Sequence, residues 1–215
     1  MTTIFNSSAA PVSALLLEIS AIKLSPSEPF TWSSGWKSPV YCDNRLALSY
    51  PEKRTYIKKA LVEAIKNHFP DVESIAGVAT AGIAQGALVA ESLDLPFLYV
   101  RPKPKDHGMQ NLIEGKIVKN QKVVLIEDLV STGGSSIKAA EALRDAGFQV
   151  IGMVAIFTYG FETASNNFEA ARIPLVCLSD FSHLLQEAVR LKYMDAGQME
   201  FVAQWRKDPA NWGNP

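Results

Sequence analysis

The chain has 215 residues, 47% of them hydrophobic, with 21 basic against 22 acidic side chains for a net charge of −1. That supports a full core in one large α/β domain, or in a domain with a small cap. Near-neutral charge excludes a general attraction to nucleic acid or to an anionic membrane, so a small anionic ligand would be held by local groups. Cys42 and Cys177 show neither metal spacing nor a disulfide framework, and read as buried thiols of a reducing compartment. Met1 to Ala10 lacks the basic start of a secretion signal. The apolar run Leu15–Leu17 is cut by Glu18, too short to span a bilayer. The cytoplasm is the expected location.

Val12, Leu15, Leu16 and Ile19 fall at helical spacing and predict a first amphipathic helix. The breaker cluster Ser25-Pro26-Ser27-Glu28-Pro29 follows, then an aromatic and serine-rich stretch, Phe30 to Asp43, that reads as short strands and turns. Ser49 and Glu52 stand at capping-box spacing with Pro51 in the first turn, and Ile57, Leu61, Ala64 and Ile65 give the buried face of a second helix. From there the pattern alternates. Strands are expected at Ser74–Ala79, Pro96–Arg101, Lys122–Asp128, Gln149–Tyr159 and Leu175–Leu178. Helices are expected at Ile83–Leu93, at Ser135–Ala146 with Gly147 as its stop, and at Ser182–Leu191. Continuous apolar strands alternating with helices argue for a mostly parallel sheet covered on both faces. Pro102 to Lys119 breaks the rhythm with no periodicity and several charges; a loop that long is usually functional or disordered. Trp205 and Trp212 suit either the core or an interface.

The most informative segment runs from Val123 to Ser136. An apolar strand ends in Glu127 and Asp128, and a turn, Ser131-Thr132-Gly133-Gly134-Ser135, then opens a helix. Such a turn aims backbone N–H groups and hydroxyls at one spot before a helix N-terminus, a ready phosphate site. Gly133 and Gly134 let the backbone approach without Cβ clashes. The adjacent carboxylates suit ribose hydroxyls or a magnesium-bearing ligand. The plain alternative is an ordinary helix cap with both acids solvated. No Gly-Lys-Ser/Thr follows, as a P-loop requires, and the glycine spacing is not a dinucleotide fingerprint. In the aperiodic loop, Arg101, Lys103, Lys105 and His107 suit the developing charge of a pyrophosphate leaving group, unless the loop is simply solvated. Gly108 and Gly115 would let it hinge closed and exclude water.

Ile126 to Ser135 resembles the phosphoribosyl pyrophosphate motif of type I phosphoribosyltransferases. The resemblance implies that Glu127 and Asp128 contact the ribose hydroxyls and that Ser131, Thr132, Gly133, Gly134 and Ser135 cradle the 5-phosphate. Leu129 and Val130, which join the two, are counted with the site. Lys105-Asp106-His107-Gly108 is similar to the catalytic loop of orotate phosphoribosyltransferases in particular. By that resemblance Arg101, Lys105 and His107 contact pyrophosphate and carry catalysis, with Lys105 most important for rate. Phe30 to Tyr41 resembles the family's N-terminal hood beside the orotate pocket, and Val78 to Ile83 its pyrophosphate loop, which otherwise is a plain strand-to-helix turn. The likeness runs from about Ile22 to Tyr159.

Three departures are visible. Pro102 stands where many members have Lys, with Lys103 as the neighbouring cation that would compensate. Ser33 stands where some members have Lys. Ile156-Phe157-Thr158-Tyr159-Gly160 contains no Arg where some members place one against the orotate carboxylate. That carboxylate would be met by the helix N-terminus, by Ser131 or by a backbone amide.

The resemblance implies one phosphoribosyltransferase domain over residues 1–215: an N-terminal helix and hood in 1–48, and an α/β core of mostly parallel sheet flanked by helices in 49–215. It implies Mg2+-dependent transfer of phosphoribosyl from phosphoribosyl pyrophosphate to orotate, giving orotidine 5'-monophosphate and pyrophosphate in pyrimidine synthesis. Magnesium would sit on pyrophosphate and ribose oxygens, with no direct protein ligand. In the family the catalytic loop reaches into the neighbouring subunit, which implies a homodimer with shared sites; no nucleic-acid or membrane partner is expected. A transferase for adenine or xanthine, and a non-catalytic phosphoribosyl pyrophosphate sensor, are the rivals. The loop and hood count against the first, and the lack of a basic domain against the second. A fused second enzyme is not expected at this length.

Overall fold

The computed structural model describes residues 2–32, 35–103 and 112–212. Strand β1 (Thr2–Ile4) leads into helix α1 (Asn6–Glu18), and four short strands follow: β2 (Ile22–Leu24), β3 (Phe30–Thr31), β4 (Lys37–Ser38) and β5 (Val40–Cys42). A 3-10 turn, Asn44–Ser49, precedes α2 (Pro51–His68). The alternating region comprises β6 (Ser74–Val78), α3 (Ala81–Leu93), β7 (Phe97–Val100), β8 (Ile113–Glu114), β9 (Lys122–Val130), α4 (Gly134–Asp145), β10 (Gln149–Thr158), α5 (Glu162–Ala170), β11 (Leu175–Asp180) and α6 (Phe181–Arg190). Helix α7 (Met199–Trp205) closes the set.

Seven strands form one sheet in the order β1-β11-β10-β9-β6-β7-β8. Every pair is parallel except β7–β8, which puts a short antiparallel strand at one edge. Side chains of the central strands alternate between two cores. Val124, Ile126, Val154, Ile156, Val176 and Leu178 face one, and Val123, Leu125, Met153, Ala155, Leu175 and Cys177 face the other. A strand with apolar contacts on both faces shows no period of two in its hydrophobicity, which is why these segments read as continuous apolar runs. Helices α1, α2, α3, α6 and α7 supply the first core, and α4 and α5 the second.

Several elements differ from the sequence expectations in their ends, α2 and β9 among them. Ser49 does not cap α2: the N-cap is Tyr50, with no side-chain cap bond, and Pro51 takes the first helical position. Ser49 instead ends the preceding 3-10 turn, so the box spacing is not used. Strand β9 runs through Glu127 and Asp128 to Val130, because Leu129 and Val130 stay in register with Phe157 and Thr158 of β10. The acidic pair thus lies inside the strand, two residues short of its end. Several elements were not foreseen, namely β1, β2, β8, α5 and α7. Strand β1 pairs with β11 at the sheet edge, and α5 covers the second core with Ala164 and Phe168.

The hood consists of two antiparallel ribbons, β2–β5 and β3–β4. It is joined to the core by aromatic packing. Trp205 is fully buried and donates from Nε1 to the carbonyl of Lys37 at 3.2 Å. Its ring lies 5.2–5.4 Å from those of Trp32, Tyr159, Phe161 and Phe181. Trp205 is therefore core, and a buried aromatic of this size is worth roughly 3–5 kcal/mol against alanine. Trp212 packs on Phe201 with ring centroids 5.2 Å apart.

Candidate functional site

The C-terminal ends of β6, β7, β9 and β10 point the same way, and β6 and β9 are neighbours whose following connections run in opposite directions. Ligands of open parallel sheets bind at such a switch point, outside the carboxyl ends of the strands. The turn after β6, Arg101 after β7, the turn after β9 and Tyr159 after β10 all converge there. Two glycines allow this packing. A Cβ on Gly82 would come within 2.3 Å of the Ile126 carbonyl oxygen, and one on Gly77 within 2.8 Å of Gly82. Helix α3 therefore starts directly against β6 and β9. The Ala79–Thr80 peptide in the turn between them is cis.

The turn Ser131–Ser135 is held from behind by α5. Asn167 Nδ2 donates to the Thr132 carbonyl at 3.0 Å. Gly133 has φ +81, and a Cβ there would lie 2.7 Å from Cε2 of the fully buried Phe168. Gly134, by contrast, has open space where its Cβ would be, and Gly134 and Ser135 are exposed. The front of the turn is thus free while its back is fixed by packing.

The acidic pair is divided in its roles. Glu127 is buried; its Oε2 accepts from Ser136 Oγ at 2.9 Å and its Oε1 from the Asp128 amide at 3.0 Å. Burial, then the charge of Asp128, pushes the Glu127 carboxyl up to about 8. Asp128 is also raised, chiefly by burial, and its carbonyl accepts from Asn44 Nδ2 at 2.7 Å. The two carboxyls also interact with each other. Glu127 braces the first turn of α4, and the Asp128 carbonyl is held by the 3-10 turn below the hood. Asn44, 1% exposed, and its neighbour Arg45, whose charge acts on Asp128, were not singled out in the sequence.

The turn separates two cavities. One, of about 670 Å³, brings Ala79, Arg101, Pro102, Gly134, Ser135 and Lys138 together. Arg101 is positioned there by its amide, which donates to the Leu112 carbonyl at 2.8 Å, and by Glu114 at 3.4 Å from its Nη1. The second, of about 610 Å³, is aromatic: Trp32, Trp36, Tyr41, Tyr159 and Phe161 wall it, with Leu129, Ser131 and Thr132 on the turn side. Such walls suit stacking of a flat ring. A further cavity, of about 360 Å³ at Lys122 and Leu175, lies at the opposite end of the strands, away from these groups. Of the remaining residues expected at the site, Val130 is buried at the strand end. Lys105, Asp106, His107, Gly108 and Ser33 lie outside the described residues.

Residues 53–176 match the model of the phosphoribosyl transferase domain. The chain belongs to that family, as its sheet and turn already suggest. It is 58% identical to the orotate phosphoribosyltransferase of Cytophaga hutchinsonii, over 94% of this chain and 96% of that one. It is 56% identical to the orotate phosphoribosyltransferase of Porphyromonas gingivalis, over 94% and 96%. The crystal structure of orotate phosphoribosyltransferase from Aeropyrum pernix superposes with a TM-score of 0.74 at 28% identity, covering 85% of this chain and 99% of that one. Within the family, the chain is a member of the orotate phosphoribosyltransferase group.

Proposed function

We propose that this protein transfers the phosphoribosyl group of phosphoribosyl pyrophosphate to N1 of orotate, releasing pyrophosphate and forming orotidine 5'-monophosphate for pyrimidine synthesis. The observation that carries the reading is the shared wall: Ser131 and Thr132 of the phosphate turn, with Leu129 of β9 just before it, also line the aromatic cavity under the hood. A ligand with its phosphate on the turn would present its sugar between Asp128 and a base stacked in that cavity.

In this reading the amides and hydroxyls of Ser131 to Ser135, with the α4 N-terminus, hold the 5-phosphate. Asp128 accepts from the ribose hydroxyls. Glu127 acts one step back, fixing Ser136 and the Asp128 amide, and shares the raised proton affinity of the pair. Arg101, Lys105 and His107 meet the pyrophosphate, and the charge they place there favours loosening of the C1–O bond. The sugar becomes cationic as that bond lengthens, and orotate N1 attacks from the opposite face. Magnesium supplies charge neutralisation on the phosphate oxygens when bound. The donor set fits it: crowded carboxylates in a buried place gain from a divalent cation brought by the ligand, and magnesium needs few protein ligands. Among the described residues no cluster of three or more metal-ligating side chains exists.

We further propose a homodimer in which each Arg101–Gly108 loop serves the partner's site, working in the cytoplasm. Among the described residues no helix is long and apolar enough to cross a membrane. The test is a base panel with phosphoribosyl pyrophosphate and magnesium, following pyrophosphate release. Release with orotate and not with adenine or xanthine is expected; turnover of a purine instead, or of no base, overturns the reading.

A further inference from the structure

We propose that Arg206, at the end of α7, receives the carboxylate of the acidic pyrimidine, taking the place of the Arg absent after β10. This inference rests on the orotate reading above. Gly160 follows Tyr159 at the end of β10, where the sequence offers no cation. In the fold a cation is nonetheless there. Arg206 Nη1 lies 3.7 Å, and its Cδ 3.8 Å, from where a Gly160 Cβ would stand, so the guanidinium arm lies over the glycine. Gly160 has a positive φ of +70, and the arm packs on it at van der Waals distance.

Arg206 is held in place. It follows Trp205, whose fully buried ring touches the aromatic walls of the base cavity, and its Nη1 donates to Ser182 Oγ at 2.8 Å. A guanidinium carries five N–H donors, so this tie leaves most of the fork available. Arg206 lines a cavity of about 340 Å³ whose wall includes Trp36, Thr132 and Phe161, the same three residues that line the aromatic cavity. The two cavities are neighbours, with those three residues as a common wall. Arg206 and Lys207 stand on this wall against one acid, Glu162, so the local balance is positive. The 5-phosphate has its own donors on the turn and at the α4 N-terminus. The anionic group still to be matched on the aromatic side is the carboxylate of the base, and a guanidinium pairs with a carboxylate in a planar, bidentate manner.

The test compares wild type, Arg206→Gln, Arg206→Lys and Ser182→Ala in steady-state kinetics and thermal melting. Arg206→Gln should raise the KM for orotate about tenfold or more, the scale of losing a charge-assisted hydrogen bond, and leave the KM for phosphoribosyl pyrophosphate within about twofold. Arg206→Lys should recover part of the loss. Ser182→Ala, which cuts the tie but keeps the charge, should hold the orotate KM near wild type. An orotate KM within about twofold of wild type in Arg206→Gln overturns the assignment. So does a rise in orotate KM in Ser182→Ala as large as that in Arg206→Gln, with an equal fall in melting temperature, which would make Arg206 a structural tie. Absence of wild-type turnover with orotate would instead overturn the reading beneath it, a separate and recognisable result.

Discussion

The two adjacent glycines of the phosphate turn should respond to alanine in opposite ways. At Gly133 the φ of +81 is left-handed, which costs an L-residue roughly 1–2 kcal/mol. The added Cβ would also meet Phe168 Cε2 at 2.7 Å, and that ring is fully buried in the second core and cannot swing aside. Overpacking of this kind costs roughly 1–3 kcal/mol. Gly133→Ala should therefore lose roughly 2–5 kcal/mol in urea denaturation. For a chain of this size that is a fall of about 4–20 °C in Tm at fixed protein concentration. Gly134 has nothing within 4 Å of its would-be Cβ and opens α4, where alanine is the better helix former by about 1 kcal/mol. Gly134→Ala should be as stable as wild type or more so. Its new methyl stands on the open side of the turn, so affinity for phosphoribosyl pyrophosphate, measured by calorimetry, should fall without any loss of stability. Equal stability in the two variants would refute the division of the turn into a packed back and a free front.

Asp128→Asn should weaken phosphoribosyl pyrophosphate binding, because a charged acceptor is roughly twice as strong as a neutral one. The ligand-free Tm should hold or rise, because burial already disfavours that charge; unchanged affinity in calorimetry would remove Asp128 from the site. Glu127 holds a proton up to about pH 8 when folded, against an ordinary 4.5. The folded state therefore binds more protons than the unfolded chain in that window, and this contribution to stability is full below pH 4.5 and lost as pH rises through about 8. Glu127→Gln should flatten the fall of Tm across the same window, and parallel slopes would contradict it. Lys105→Ala should lower kcat by about a hundredfold with little effect on orotate binding, the pattern of a group that acts in the transition state; turnover within about twofold of wild type would count against it. Mixing Lys105→Ala with Asp128→Asn under subunit exchange should restore about a quarter of wild-type activity, because half the dimers are mixed and each has one intact site. No recovery, with exchange confirmed by mass, would sink the shared-site arrangement alone.

The sequence by itself determined the parallel α/β core, because strands apolar on both faces leave no other burial. It also marked the glycine-rich turn that opens α4; most of the basic loop it set apart lies outside the described residues. The cap at Ser49 was misread because spacing alone cannot tell which of two overlapping turns claims a residue. Helix α5 was invisible because its buried side is two residues, Ala164 and Phe168, too few to print a period, yet it supports the turn through Asn167 and Phe168. Strand β1 is three residues whose pairing needs β11, far away in sequence. Tertiary structure alone decided that Glu127 turns inward to Ser136 while the Asp128 carbonyl is held by Asn44, that Trp205 locks the hood to the core, and that Arg206 lies over Gly160. Each of these depends on neighbours brought together across the chain, and local patterns record burial and turn chemistry but not which distant residue fills a given space.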